Sequence, residues 1–494
     1  MVISLFIIGL FLLFSLWLGI KARKGKDMDL EQWAVGGRGF GTVFVFLLLA
    51  GETYTTFTFL GGSGMAYGIG GPVMFILVYG ALGNIIGYWV LPSIWKYAKE
   101  NRLVSQTDYF VSKYNSKGLG LLVAVVSVAA MIPYLIMQLK GLGIIVSEAS
   151  YGRISPSISV WVSMATLVIY VMISGIHGSA WTAVIKDFMI LGIVVFLGLY
   201  LPLHYFGGLQ EMFQTIESAK PGFLVLPSEG MSSTWFISTT ILLSLGFYMY
   251  PHSFSAIYSS KDANAVRKNV SIQPLYSLVL VFVFFVGFAA ILKVPGLKGE
   301  NVDLALFRLS LQTFDPWVVG LIGAAGLLTA LVPGSMMLMA ISTLIAKNIY
   351  KEVAPSADNR KVMMVARWIV PFIGLAAVWF TLYGTNTIAS LIIIGSSLIT
   401  QLIPSVFLSL PKKPLLTTQG SFAGIVTGIT IVSYLTFTGT TIGSLFPFFP
   451  QVLKDINIGL IALMLNVIVS LAVSLIQNKT MDNAKPIEKN YRVS

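Results

Sequence analysis

The stretch 49-LAGETYTTFTFLGGSG-64 places a carboxylate, Glu52, beside Gly51 inside a run otherwise apolar enough to cross a bilayer. The hydroxyls of Thr53, Tyr54, Thr55, Thr56 and Thr58 follow, then Gly61, Gly62 and Gly64. A carboxylate at membrane depth is costly unless paired or hydrated. Glu52 therefore reads as a proton or cation site tuned by burial, or as a structural partner for a donor on a neighbouring helix. Lys140, in 130-AMIPYLIMQLKGLGIIV-146, lies too deep in its own apolar run to snorkel easily to the surface. It fits a counter-charge for a substrate carboxylate, an internal partner for Glu52, or a lysine satisfied by carbonyls freed near Pro133 and Gly141. Gln138, on the same run, is a candidate polar contact for substrate. In 241-ILLSLGFYMYPHSFSAIY-258, Tyr248, Tyr250 and His252 flank an interruption between Gly246 and Pro251. Aromatic rings there either gate or stack on substrate, or serve as interface anchors.

Several other chemistries have no residues to run on. There is no Cys, so neither disulfides nor thiolate metal sites form. The 3 His show no HExxH spacing, which argues against a zinc enzyme. No GxxxxGK[ST] phosphate loop is present, so the chain carries no ATP-hydrolysing motor, and its glycine pairs follow no βαβ unit. No nucleophile–base constellation points to an enzyme.

The elements that must hold these residues are membrane helices. Of 494 residues, 56% are hydrophobic and 11% charged, with mean hydropathy +0.83; a soluble domain carries about 25% charged residues. Thirteen apolar segments are predicted to span: 2–20, 42–68, 72–96, 118–146, 158–176, 181–206, 234–257, 271–293, 316–345, 366–383, 386–409, 417–437 and 456–476. Each crosses a core of roughly 30 Å at about 1.5 Å per residue. The first segment has no basic residue before it and KARKGK just after it, the opposite charge order to a cleaved signal peptide. Most of the 32 Lys and Arg then fall on one alternating set of loops, Lys186 counted among them. That asymmetry places the N-terminus outside and the C-terminus inside, and excess basic charge reads as membrane orientation rather than nucleic-acid binding. Residues 1–480 read as a single transmembrane domain and 481–494 as a cytoplasmic tail.

The second segment is interrupted at Gly51 and the GGSG cluster, the seventh at Gly246 and Pro251. An offset of five spans gives two five-helix units opposite topologies, as in transporters built from inverted repeats; Gly and Pro are also simply common in membrane helices. The repeats would cover about 42–206 and 234–409, with 2–20, 417–437 and 456–476 flanking them. The loop 32-QWAVGGRGFG-41 resembles the one ahead of the first core helix in the sodium:solute symporter family. The segments 61-GGSGMAYGIG-70, 107-TDYFVSKYNSK-117, 250-YPHSFSAIYSSKDANAVRKN-269 and 345-IAKNIYK-351 are similar to that family's in order and spacing. The pair 50-AGETYTTFTFLGGSG-64 and 325-AGLLTALVPGSMMLMA-340 looks most like its monocarboxylate-permease branch.

The resemblance implies an all-α, leucine-transporter-like fold of ten core helices in two inverted repeats, performing secondary active symport driven by a cation, usually sodium. It implies an ion site between the first and eighth core helices, fed by carbonyls of Gly51 and Tyr54. The family's hydroxyl pair falls here on Val332 and Pro333, which have no side-chain oxygen. Thr329 and Ser335 substitute if the helix unwinds at Pro333–Gly334; otherwise a proton beside Glu52 is the alternative to sodium. The hydroxyls of the first break, Thr55 among them, line the same cavity. Asp187, in 181-WTAVIKDFMI-190, matches an aspartate on the family's ion exit path, or forms only a local pair with Lys186. Gln401, in 395-GSSLITQLIP-404, matches a substrate-contacting glutamine, or makes a helix–helix hydrogen bond. The whole reads as a plasma-membrane symporter importing a small organic anion, a monocarboxylate ahead of an amino acid. Its partners are substrate, coupling cation and bilayer, with no cofactor, nucleic acid or obligate protein partner. A channel would want a continuous polar stripe on several helices, whereas the polar residues here gather at two breaks.

Overall fold

A computed structural model describes residues 1–25, 29–411 and 413–483, with main chain alone at Glu52 and 479–483. The predicted tail 481–494 therefore lies largely outside the described residues. Within them the protein is all-helical; the one β-bridge joins Phe40 to Ser260 and pins the loop before the first broken helix to the turn after the second. Ten helices are long and apolar enough to cross a membrane, and the apolar helices Thr42–Gly51 and Ser233–Gly246 are shorter. The helix Pro316–Leu344 is the axis of the bundle: every residue from Ile322 to Leu344 is buried. Around it pack Val2–Arg23, Lys117–Ala149 and Pro156–Phe206.

The segments predicted as 158–176 and 181–206 are the two helical arms of Pro156–Phe206, which meet at the non-helical Gly175 with no loop between them. Straight, Pro156–Phe206 would measure about 75 Å, far more than a bilayer core. Gly175 turns it with φ 56° and ψ −166°, a conformation essentially confined to glycine. Other helices extend past their apolar stretches because amphipathic turns continue them. The predicted start at 271 is Ala263, and that at 366 is Asn359. The loop 207–233 contains the helix Leu209–Ala219.

Both predicted interruptions exist, but the first lies elsewhere than expected. Thr42–Thr53 ends at Tyr54 (φ −104°, ψ 86°), and the chain resumes as a wide turn over Phe57–Gly61 and the helix Gly62–Ile69. Gly51 is itself helical, and the GGSG glycines do not unwind the chain. They admit neighbours: a Cβ on Gly64 would stand 2.9 Å from the Val302 carbonyl oxygen and 3.0 Å from Asp303 Oδ1. The second break falls where predicted, between Ser233–Gly246 and Pro251–Tyr258. Pro251 forces Tyr250 into extended backbone and is pre-set for the first turn of the next helix. Short helices of matching length, Gln106–Tyr114 and Ala305–Thr313, occupy the loops one span after each broken helix.

Gly175→Ala is expected to destabilise the protein by about 1–3 kcal/mol, the strain of that backbone region for a residue with a Cβ. The check is the melting midpoint of the detergent-purified protein; an unchanged midpoint would show that the corner tolerates a side chain.

Candidate functional site

At the first break the N–H groups that would continue the helix are diverted to side chains. Thr55 N donates to Thr58 Oγ1 (3.0 Å), Thr56 N to Gln138 Oε1 (3.3 Å) and Phe57 N to Thr55 Oγ1 (3.1 Å). The carbonyls of Gly51, Glu52 and Thr53 therefore lose the donors four residues ahead, and the half-helix ends with open acceptors. Thr55 is buried, and its hydroxyl caps the restarting helix rather than facing a cavity. Gln138 bridges the break from Lys117–Ala149. Its Nε2 and Thr56 Oγ1 are buried without hydrogen-bond partners among the described residues.

Beside the open carbonyls stands a charged cluster. Lys186 is fully buried, which corrects its predicted place among the loop lysines. Its Nζ lies 2.9 Å from Asp187 Oδ1 and 4.0 Å from where a Cβ on Gly51 would stand. This is an ion pair without hydrogen-bond alignment, and Asp187 Oδ2 has no hydrogen-bond partner among the described residues. Tyr276 donates its hydroxyl to Asp187 Oδ1 (3.0 Å), and Tyr54 donates to the Tyr276 carbonyl (3.0 Å). Gln273, one turn before Tyr276, accepts from Thr53 Oγ1 (3.2 Å) and donates to the Phe46 carbonyl (3.3 Å). Asp187, expected on an ion path, is thus tied to the first broken helix through Tyr276. Sequence reading missed Tyr276 and Gln273; their spacing of three on Ala263–Ser277 was the available signal.

The second break is closed by side chains. Gln106 Nε2 donates to the Met249 carbonyl (2.5 Å), and Ser127 Oγ fixes Gln106 Oε1 (2.7 Å). Tyr248 donates to Asn84 Oδ1 (2.7 Å), which binds it to Phe75–Glu100. The rings of Tyr134, Tyr250 and His252 cluster, with Tyr134 5.0 Å from Tyr250 and 5.5 Å from His252.

The remaining predicted residues lie apart from the breaks or are already engaged. Lys140 is not a free counter-charge: its Nζ contacts Glu300 Oε2 (2.9 Å), Asp303 Oδ2 (3.7 Å) and the Asn386 carbonyl (2.7 Å). A segment after Lys293 folds down onto it, which its place in an apolar run could not reveal. Asp303 also accepts from Ile388 N (2.9 Å), so one carboxylate joins two loops to Lys117–Ala149. At that helix's other end, Asp108 pairs with Lys347 (2.5 Å) and Asn348 (3.1 Å). Gln401 donates to the Ser397 and Gly459 carbonyls and meets Asn466, a helix–helix contact with the flanking pair. The helix through Pro333 does not unwind. Thr329 donates to the Gly326 carbonyl (2.6 Å), and Ser335 to the Val332 carbonyl (2.7 Å) beside Ser179 Oγ (2.7 Å). The side chain of Glu52 lies outside the described residues.

The pattern of the sodium:solute symporter family matches residues 33–428. The chain belongs to the sodium:solute symporter family. The symporter is 60% identical over 481 residues to the "Uncharacterized symporter YhjB" of Bacillus subtilis, covering 97% of this chain and 98% of that one. It is 28% identical over 393 residues to a "Monocarboxylate transport permease protein" of Rhizobium johnstonii, covering 77% of each. Its fold is similar to that of a Na+-coupled sialic acid symporter solved in a substrate-bound outward-open state. The TM-score is 0.78 at 17% identity, over 96% of this chain and 97% of that one. The fold is therefore leucine-transporter-like. The family and the structural neighbours are transporters, not enzymes, and the symporter is a multi-pass membrane protein, in bacteria one of the cell membrane.

Two outcomes are expected from this geometry. Thr58→Val in the symporter leaves Thr55 N unsatisfied and should lower stability by about 1–3 kcal/mol, whereas Thr58→Ser stays near wild type; melting midpoints of the two variants decide it. Burial pushes the Asp303 carboxyl up to about 6 from an ordinary 3.8, against the pull of Lys140. The folded state holds that proton more tightly than the unfolded chain. Stability should therefore fall as pH rises from about 4 to about 6 and level off above. Asp303→Asn should flatten that slope in melting midpoints taken across the same range.

Proposed function

We propose that this symporter imports a small organic anion, a monocarboxylate before an amino acid, coupled to a cation gradient. The observation that carries the substrate class is the pair of unspent polar groups, Gln138 Nε2 and Thr56 Oγ1, at the first break. Leaving a buried donor unpaired costs about 1–3 kcal/mol, and a carboxylate between the breaks would satisfy both. The N-terminal end of Pro251–Tyr258 adds a positive helix end on the other side. The relative named as a monocarboxylate transport permease supports the same class.

On this reading the chain crosses the membrane thirteen times, with the bent run Pro156–Phe206 counted twice and each broken helix once. The N-terminus is outside and the C-terminus, with the tail 481–494, inside. The repeats 42–206 and 234–409 are supported by the two breaks and by the short helices Gln106–Tyr114 and Ala305–Thr313 in corresponding loops. The ion pairs at the two ends of Lys117–Ala149 then act as alternate doors: Lys140 with Glu300 and Asp303 outside, Asp108 with Lys347 inside. Opening one while the other holds is alternating access. No cofactor is needed beyond the coupling cation.

The test is uptake of labelled lactate, pyruvate, acetate and proline into proteoliposomes with an imposed sodium or proton gradient. Accumulation of a monocarboxylate above equilibrium, lowered about tenfold by Gln138→Leu, is the expected result. Gradient-independent uptake that stops at equilibrium would overturn symport, and accumulation of proline alone would overturn the substrate class.

A further inference from the structure

The open end of the first half-helix needs a positive partner. Three carbonyls that lose their in-helix donors and the negative end of the helix dipole meet there, inside the bundle. In a sodium-coupled transporter of this architecture, unwound carbonyls of this kind coordinate the ion. Here a positive group is already built in.

We infer that the ammonium of Lys186 is the resident cation at this break, held where a coupling sodium ion would otherwise bind, so that sodium does not bind there. The inference rests on the proposed symport only for its consequence in transport. Three observations carry it.

The first is position. Lys186 Nζ lies 4.0 Å from where a Cβ on Gly51 would stand, beside the residue whose carbonyl begins the open end, and among the described residues it makes no hydrogen bond, so it acts there by charge and not by donation. The side chain is fully buried, so it cannot swing to water without the bundle opening.

The second is charge balance. Asp187 supplies the anion at 2.9 Å, and Tyr276 holds that carboxylate in place. The site therefore contains its own cation and its own anion. A sodium ion entering would meet a carboxylate already paired with an ammonium, so no unpaired negative charge draws it in.

The third is the opposite wall. Hard cations take oxygen ligands. Val332, where the resemblance calls for a hydroxyl, packs instead against Leu47 and Ala183. Ala183 is one turn before Lys186, so the apolar patch adjoins the ammonium. Pro333 beside it has no side-chain oxygen either, and the helix through both stays wound. The residues present fit a tethered ammonium and do not fit sodium.

The test compares the detergent-purified full chain in sodium chloride and in choline chloride at equal ionic strength. The wild-type melting midpoint is expected to be the same in both salts. A saturable rise with sodium would overturn the inference. Lys186→Gln should melt lower than wild type in choline; a variant as stable as wild type there would show that the carbonyl end does not need the ammonium, and would equally overturn it. In proteoliposomes, replacing sodium by choline should change carboxylate uptake by less than about twofold, and a loss of about tenfold would count against the inference. If none of the carboxylates is taken up in any salt, the proposed substrate class fails, and the melting comparison still decides the role of Lys186.

Discussion

A helix that stops inside a membrane protein leaves main-chain carbonyls with nothing to accept from, and lipid offers no water to repair the loss. Most of what is unusual in this sequence answers that constraint. The two breaks answer it differently. At the second, Gln106 reaches the Met249 carbonyl and Pro251 starts the next helix with no N–H to waste. At the first, Thr55, Thr58 and Gln138 satisfy the donors of the restarting helix and leave the acceptors of the ending one open. One break is structural joinery. The other is a charged socket.

The ion pairs fall into two kinds. Lys140 with Asp303, and Asp108 with Lys347, join residues far apart in sequence, so each couples segments that can separate. Lys186 and Asp187 are neighbours on one helix, and their pairing cannot be broken by sliding one helix past another. The end pairs are suited to opening and closing, and the central pair to staying together while its surroundings move. The central pair is buried on both sides and obeys the rule that a buried charge persists only with its partner in place.

The apolar runs, the family and the break at Gly246–Pro251 were legible in the sequence because each follows from local composition. The place of the first break was not. Gly51 and the GGSG cluster mark it by type, but the unwinding sits at Tyr54–Thr56, where side-chain hydroxyls outcompete the backbone for its own N–H groups. The partners of Lys140 were not legible, because depth along an apolar run says nothing of a loop that folds in from beyond its end. Lys186 was misread for the converse reason: it sits near a predicted loop that is a single glycine. Gln401 shows that a polar residue on a core helix can as readily face the flanking pair as the centre.

That single glycine has a mechanical consequence. Gly175 joins two membrane-length arms with no slack between them, at a dihedral pair few other residues can adopt. The arms meet at one pair of dihedrals, the shortest joint a chain can have. The arm that bears Lys186 begins at that joint, and the ammonium stands about three turns beyond it. The ammonium thus sits on an arm whose pivot is one residue wide.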